Sequence, residues 1–393
     1  MTDGIVIAGG GLAAQRCTET LRAKGHDGPI RIVCGEPHAP YDRPPLSKEL
    51  LAGDMPDDAV ALRPRSWYEE RGVDLLLGDR AARLDPALRE IETEAGRRLR
   101  FDALLIATGS RARRLPLLEG YANVTVLRTL DDARALRAAL SPGARLAVVG
   151  AGFIGLEAAA SARRLGVEVT IVEALEAPLA GILGAGLGGW FADLHRGEGA
   201  EVLLSARIEA VRGRRRVRAL DLAGGRTVDC DHVLVGVGVE PDTGWLGGTG
   251  LDAAGVRVDA QGRTPLPGVY AAGDAALTYA PALARHVRTD HWEAAARQGT
   301  AAARAMLGLE PARTPLPSFW SDQYGVRVQY VGRAGDADRV VIDGDPDSRD
   351  FTALYTKVGA VVAALLVGRP RALADARRQV QAGLEPMTDE ARS

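Results

Sequence analysis

The sequence predicts an α/β protein in which one β–turn–α–β module occurs twice and a small α+β tail follows. Three observations carry this reading. Two glycine-rich turns, at residues 9–14 and 150–155, each follow a short apolar run and precede a helical pattern. In both copies an acid, Glu36 or Glu173, closes the next apolar run. From about residue 326 the pattern changes to a series of strand-like runs and one final helix.

Composition limits what such a chain can do. With 393 residues there is room for two or three domains, each with its own core. A chain that is 46% hydrophobic and 25% charged, with formal net charge −2, is neither a disordered tail nor a basic nucleic-acid binder. No DNA or RNA partner is expected. Cys17, Cys34 and Cys230 stand singly, without the spacing of a zinc site or redox dithiol, so neither a metal nor a disulfide framework is expected. Met1–Gly4 leads directly into the apolar stretch Ile5–Ala8 with no basic n-region or long h-region, which predicts a cytoplasmic protein without an export signal. The apolar run Val358–Val367 is about half of the roughly 20 residues a membrane helix needs and reads as a buried strand or core.

Taken in order, the first copy is a strand Ile5–Ala8, a turn at Gly9–Ala14, a helix to Lys24 and a strand Ile30–Cys34. The second is Leu146–Val149, a turn at Gly150–Gly155, a helix to Leu165 and a strand Val167–Val172. Phe101–Gly109 and Cys230–Gly238 read as the returning parallel strands of the two copies. These place a first module at 1–110, resumed at 241–308 after an inserted second module at 111–240. A C-terminal α+β domain spans 309–393, entered through a linker at Thr314–Pro317. Its predicted elements are strands Val326–Val331, Arg339–Ile342, Phe351–Lys357 and Ala360–Val367, then a helix Arg371–Gln381.

A strand, a G-x-G-x-x-G turn and a helix bind pyrophosphate for physical reasons. The glycines allow a tight turn and close backbone approach, and the helix N-terminus supplies N–H donors and positive potential. The acid on the next strand takes the ribose hydroxyls. Gly150, Gly152, Gly155 and Glu173 complete this pattern, with Phe153 and Ile154 opening the helix. In the first copy Gly9, Gly11 and Glu36 match, Leu12 and Ala13 open the helix, and Ala14 stands at the third position. Either turn alone is compatible with an ordinary α/β turn. Two in context indicate two Rossmann-like dinucleotide-binding domains, for which the natural ligand pair is a flavin and a nicotinamide. Gly273-Asp274 follows the short apolar strand before the resumed helix, and its aspartate could accept from a flavin ribityl hydroxyl or simply cap a helix.

Further stretches carry a family resemblance: Pro40–Lys48, Leu127–Ala133, Gly150–Glu157, Gly273-Asp274, His291-Trp292-Glu293 with Gln298, and Phe319–Gly325. Over nearly its whole length the chain resembles the FAD-dependent NADH:ferredoxin reductases of bacterial oxygenase systems. The resemblance implies an FAD-binding domain (1–110 and 241–308), an NAD-binding domain (111–240) and a C-terminal domain (309–393). It implies hydride transfer from NADH to FAD, then single electrons to a small acidic [2Fe–2S] ferredoxin, bound transiently. That ferredoxin would serve a Rieske dioxygenase or a cytochrome P450.

Carried over residue by residue, the implied FAD contacts are Gly9, Gly11, Leu12, Ala13, Ala14, Glu36, Arg43, Lys48, Ala107, Thr108, Gly109, Arg128, Gly273, Asp274, Trp292 and Trp320. The implied NAD contacts are Gly150, Gly152, Phe153, Ile154, Gly155, Glu157, Glu173 and Gly238. Lys48, at the flavin N5 edge and paired with Glu157, is the implied catalytic pair, tuning the flavin rather than acting as a nucleophile. Read locally, two prolines mark a helix start that puts Lys48 at the positive end of the dipole, Lys48 would be a solvated surface lysine, and Glu157 would be a first-turn acid that favours the dipole. Trp292 and Trp320 read as core aromatics or as cofactor packing. Two departures from the family pattern are Gly181, where an arginine is usual, and Ala294, where an asparagine is usual.

Glu173, followed by Ala174, Leu175, Glu176 and Ala177 with no cation for a 2′-phosphate, predicts NADH over NADPH. A disulfide reductase or thiol-dependent oxidase would need a reactive cysteine beside the flavin, whereas Cys34 falls inside a predicted strand. A flavoprotein that changes partner on reduction is the non-enzymatic alternative. Arg63, Arg65, Arg285, Arg288 and Arg313 are candidate docking cations or ordinary solvated surface arginines. The sequence carries no signal for an oligomeric state or for the particular ferredoxin.

Overall fold

The computed structural model of the protein describes residues 3–251, 254–280, 284–311, 316–335 and 337–384. Arg313, Thr314 and Pro315 lie outside the described residues. The chain forms two compact units: residues 1–42, 57–111 and 239–315 make the first, and residues 43–56, 112–238 and 316–393 the second.

In the first unit a five-stranded parallel sheet has the order Val269–Ala271, Ala103–Ile106, Ile5–Ala8, Ile30–Cys34, Val73–Leu77. The first strand in sequence is therefore central, and the glycine turn leaves from the middle of the sheet's C-terminal edge, where α/β sheets bind ligands. Side-chain alternation gives the strand two buried faces. Ile5 and Ile7 pack with Ala13, Ala14, Cys17 and Leu21 of the helix Leu12–Ala23 and with Ala302 and Ala303 of the helix Trp292–Met306. Val6 and Ala8 pack on the other side with Leu84 and Ile91 of a small antiparallel sheet.

The second unit repeats the plan. Its parallel sheet runs Glu201–Leu203, Glu168–Val172, Arg145–Val149, His232–Val235, Val124–Thr125. Ala147 and Val149 join Val233 and Val235 in a core closed by the antiparallel strands Ile208–Arg212, Ala219–Leu222 and Thr227–Asp229. The tail forms an antiparallel sheet in the order Ser318–Gln323, Val326–Gly332, Ala360–Val367, Asp350–Lys357, Arg339–Asp345. The helix Leu373–Leu384 covers it through Ala376 and Val380, against Val331, Ala364 and Leu366.

The apolar run that could have been mistaken for a membrane segment is the central strand of this sheet. Among the described residues no helix is long and apolar enough to cross a membrane. Each tail strand expected from the sequence is present, together with one more, Ser318–Gln323.

Candidate active site

Each glycine turn has the shape its residues predict. Gly9 has φ +116°, and a Cβ there would lie 2.1 Å from the Ala107 carbonyl oxygen. Gly150 has φ +101°, and a Cβ would lie 2.6 Å from the Gly236 oxygen. Both positions therefore demand glycine on conformation and on space. The next glycines behave differently. Around the Cβ position of Gly11 there is nothing within 4 Å, and around that of Gly152 only the Gly236 oxygen at 3.8 Å. These open positions are the N-caps of the helices Leu12–Ala23 and Phe153–Arg164, which have neither a side-chain cap nor an acid in the first turn. Their leading N–H groups suit an anionic acceptor, the chemistry of a dinucleotide's pyrophosphate.

The two ribose-site acids are held in place. Tyr41 donates its hydroxyl to Glu36 Oε2 at 2.5 Å. Glu173 is fixed by backbone alone: Oε2 accepts from Ala151 N–H at 2.6 Å and Oε1 from Leu175 N–H at 2.8 Å. Ile154, 44% exposed, stands open on the first helical turn, whereas Phe153 packs edge-on against Phe319, with centroids 4.8 Å apart. Gly238 has φ +99°, and its carbonyl accepts from Arg113 N–H.

In the first unit the expected flavin residues gather around the sheet's C-terminal edge. Ala107 N–H bonds Ala8 O, Thr108 Oγ1 donates to Asp242 O at 2.6 Å, and Gly109 O accepts from Asp242 N–H. Asp274 lies in the 3-10 turn Gly273–Ala275, which leads into a strand, so it does not cap a helix. Ser110 Oγ donates to Asp274 Oδ2 at 2.7 Å, and Gly273 N–H donates to Gln298 Oε1 at 2.7 Å. Trp292 is half-buried, with its Nε1–H on Asp42 Oδ1 at 2.6 Å and the Arg16 guanidinium 5.9 Å from its ring.

In the second unit Arg43 Nη1 donates to Arg128 O at 2.5 Å. Trp320 is half-buried on the strand Ser318–Gln323, on the face opposite Ser321. Neither tryptophan is a sealed core aromatic.

Lys48 and Glu157 form a buried polar cluster. Lys48 Nζ lies 3.0 Å from Glu157 Oε2, with the side chains 11% and 4% exposed. The same oxygen accepts from Ser47 Oγ at 2.5 Å, and Oε1 accepts from Ser321 Oγ at 2.7 Å. Ser161 Oγ, one helical turn beyond Glu157, donates to Ser47 O at 2.8 Å. A pair this buried survives because hydroxyl donors fill the carboxylate's remaining acceptor sites.

Both local readings of the sequence are corrected here. Lys48 belongs to no helical turn: it separates the 3-10 turn Pro44–Ser47 from the short helix Glu49–Ala52, with φ −121° and ψ −105°. Glu157 lies beyond the first turn of its helix and meets side chains rather than the helix dipole. Sequence reasoning missed Ser47 and Ser321, which are 110 and 164 residues from Glu157.

Comparison with known proteins decides the family. Residues 3–299 match the pyridine nucleotide-disulphide oxidoreductase family, and residues 318–392 match a reductase C-terminal domain. The chain belongs to the pyridine nucleotide-disulphide oxidoreductase family. It is 39% identical over 383 residues to the ferredoxin reductase subunit of a 5,5′-dehydrodivanillate O-demethylase from Sphingobium, covering 96% of this chain and 93% of that one. It is 40% identical over 385 residues to the ferredoxin–NAD(+) reductase component of a biphenyl dioxygenase system from Paraburkholderia xenovorans, with 97% and 93% covered. The crystal structure of a covalent putidaredoxin reductase–putidaredoxin complex matches with a TM-score of 0.93 at 30% identity, covering 96% and 93%.

Within this oxidoreductase family the disulphide branch of the chemistry needs a reactive thiol. Cys17, Cys34 and Cys230 are all buried. Burial pushes the Cys17 thiol far up and the Cys230 thiol up to about 11, the reverse of an activated thiolate.

Proposed function

We propose that this oxidoreductase takes electrons from NADH into FAD and passes them singly to a small [2Fe–2S] ferredoxin that serves an oxygenase, of the Rieske dioxygenase or cytochrome P450 class. The observation that carries the reading is the pair of open, uncapped helix N-termini in one chain, each with an anchored acid on the next strand. FAD, when bound, supplies the chemistry of accepting a hydride and releasing electrons one at a time.

The chain's own residues bind and orient. Gly9, Gly11 and the helix they open hold the flavin's pyrophosphate, Glu36 its adenosine ribose and Asp274 its ribityl chain. Arg43, Arg128, Trp292 and Trp320 are further flavin residues. Gly150, Gly152, Gly155 and Glu173 hold NADH. Lys48 would supply the ammonium that tunes the flavin, and Glu157 holds that ammonium. The FAD-binding domain is assigned to 1–110 and 241–308, the NAD-binding domain to 111–240 and the C-terminal domain to 309–393, in a cytoplasmic protein.

Backbone fixation of Glu173 supports NADH as donor, since a carboxylate held by two N–H groups cannot turn away from a 2′-phosphate. The docking cations are less available than their number suggests. Arg63 is engaged by Glu19 at 2.8 Å, Arg65 by Glu69 at 3.4 Å and Arg288 by Asp290 at 2.8 Å, while Arg285 is exposed.

The test is NADH-driven reduction of cytochrome c with and without a [2Fe–2S] ferredoxin. Strong acceleration by the ferredoxin that weakens as salt rises supports the reading. No acceleration by any such ferredoxin would leave a direct oxidase or a redox-responsive flavoprotein instead.

A further inference from the structure

The hydrogen bonds on Glu157 do not stop at Ser321. A carboxylate paired with a lysine only accepts, so Ser321 Oγ must donate its proton to Glu157 Oε1 at 2.7 Å. The serine oxygen then accepts from Gln323 Nε2 at 3.1 Å, which fixes the orientation of that amide. Gln323 Oε1 therefore faces His195 Nε2 at 3.0 Å and requires a proton on that nitrogen. His195 Nδ1 is left as an acceptor, and Tyr324 Oη lies 2.9 Å away to donate to it. Every donor in the series points towards Glu157, so the charge on one carboxylate dictates the tautomer of a histidine three links away.

We propose that His195 and Tyr324 are positioning residues for the Lys48–Glu157 pair, acting through Gln323 and Ser321 as one donor chain of fixed direction. This rests on the reading of Lys48 as the cation that tunes the flavin. Three features support it.

The linking side chains are sealed from solvent: His195 and Ser321 are 0% exposed and Gln323 1%, so water cannot substitute for a missing link. His195 is held in its neutral form, since burial lowers it to about 4. And Tyr324 occupies the first position of a two-residue hairpin turn, with φ +51° followed by Gly325 at +75°, where asparagine or glycine is the favoured residue. Its hydroxyl on His195 and its edge-on ring, with centroids 5.1 Å apart, explain why a tyrosine is there. The charged groups around this end are Glu198, Arg163 and Arg349, and Arg349 is itself bonded to Glu198 at 2.7 Å. The other end faces Lys48 and Glu157.

The experiment combines 15N-histidine NMR of the FAD-loaded oxidised protein with single-turnover flavin reduction by NADH. In the unsubstituted chain the resonance lost in His195→Gln should report a proton on Nε2 and none on Nδ1. Ser321→Ala frees the Gln323 amide to turn over. The His195 signal should then become a mixture of tautomers, and flavin reduction should slow about tenfold, as for loss of one hydrogen bond to a charged group. Ser321→Thr, which keeps the hydroxyl, should restore both. Should Ser321→Ala fail to fold, Gln323→Leu breaks the neighbouring link with the same expectations. A proton on Nδ1 in the unsubstituted chain, or a Ser321→Ala effect on flavin reduction that is undiminished in a Glu157→Gln background, overturns the proposal. Unchanged reduction in Lys48→Ala would instead overturn the reading of Lys48, whatever the tautomer of His195.

Discussion

The two glycine turns are copies of one device, and they differ at the position where a copy would be expected to be strict. In the second turn, a Cβ on Gly155 would lie 2.3 Å from the Gly150 carbonyl oxygen, so glycine is obligatory. In the first turn Ala14 occupies the same place and is completely buried without conflict. There the close approach has moved to the neighbouring helix, where a Cβ on Gly299 would come within 2.2 Å of the Ala13 carbonyl oxygen. What packs over a turn decides which of its positions must be glycine, and a motif records only the commonest case. The acids differ in the same way: Glu36 is held by a side chain, Tyr41, and Glu173 by the backbone.

Exchanging glycine and alanine between the turns should produce the largest effects. Gly9→Ala puts a methyl into the Ala107 carbonyl at a positive φ and should yield protein with little bound FAD, measured by flavin content after purification. Gly155→Ala should retain FAD but lose NADH-driven reduction, because the overpacking, about 1–3 kcal/mol, falls on the second helix alone. Ala14→Gly should cost only about 1 kcal/mol, the helix propensity difference, with FAD retained. If Gly155→Ala loses FAD as readily as Gly9→Ala, the two turns do not have separate ligands.

Acid stability separates the two units next. His195 of the second unit binds its proton near pH 4 when folded and near 6.5 when unfolded. Below pH 6.5 the unfolded chain therefore takes up a proton that the folded chain refuses. The His195 contribution should fall through that window and be fully lost below pH 4, by up to about 3 kcal/mol, with His26 and His232, also lowered by burial, acting in the same direction. Denaturant midpoints across pH 4–7 read this directly, and His195→Gln should flatten the curve.

Smaller effects concern the acids. Glu173→Gln should narrow the preference for NADH over NADPH, a contact worth about 1–3 kcal/mol, or roughly 5- to 150-fold in kcat/KM ratio. Equal use of both donors before substitution would contradict the role of Glu173. Tyr41→Phe leaves Glu36 without its 2.5 Å donor and should weaken FAD retention by about 1 kcal/mol, roughly fivefold, seen as faster flavin loss on dilution.

The sequence revealed most where structure is periodic or local. The strands flanking each turn, the acids that close the next strands and the tail strands all follow from short-range pattern, and each is found. The interior of the Lys48–Glu157 cluster was not legible in this way. Its donors Ser47, Ser321, Gln323 and His195 come from three segments brought together by folding. Serine and glutamine in a strand give no signal of what lies opposite. His195 reads as an ordinary helix residue until its partner, 128 residues away, is known. The tyrosine-glycine pair at 324 and 325 was the one available clue, because a bulky residue in a tight turn needs a reason. Lys48 was misplaced for a related cause: two prolines do announce a helical turn, but a 3-10 turn of four residues ends before the lysine.

The most direct test of the account is an anaerobic titration of the purified protein, followed through the flavin's visible absorption band. One equivalent of NADH should bleach the band, and adding an oxidised [2Fe–2S] ferredoxin should restore it as the ferredoxin becomes reduced. A protein that carries no flavin, a flavin that NADH leaves oxidised, or a bleached flavin whose electrons no ferredoxin accepts would contradict it.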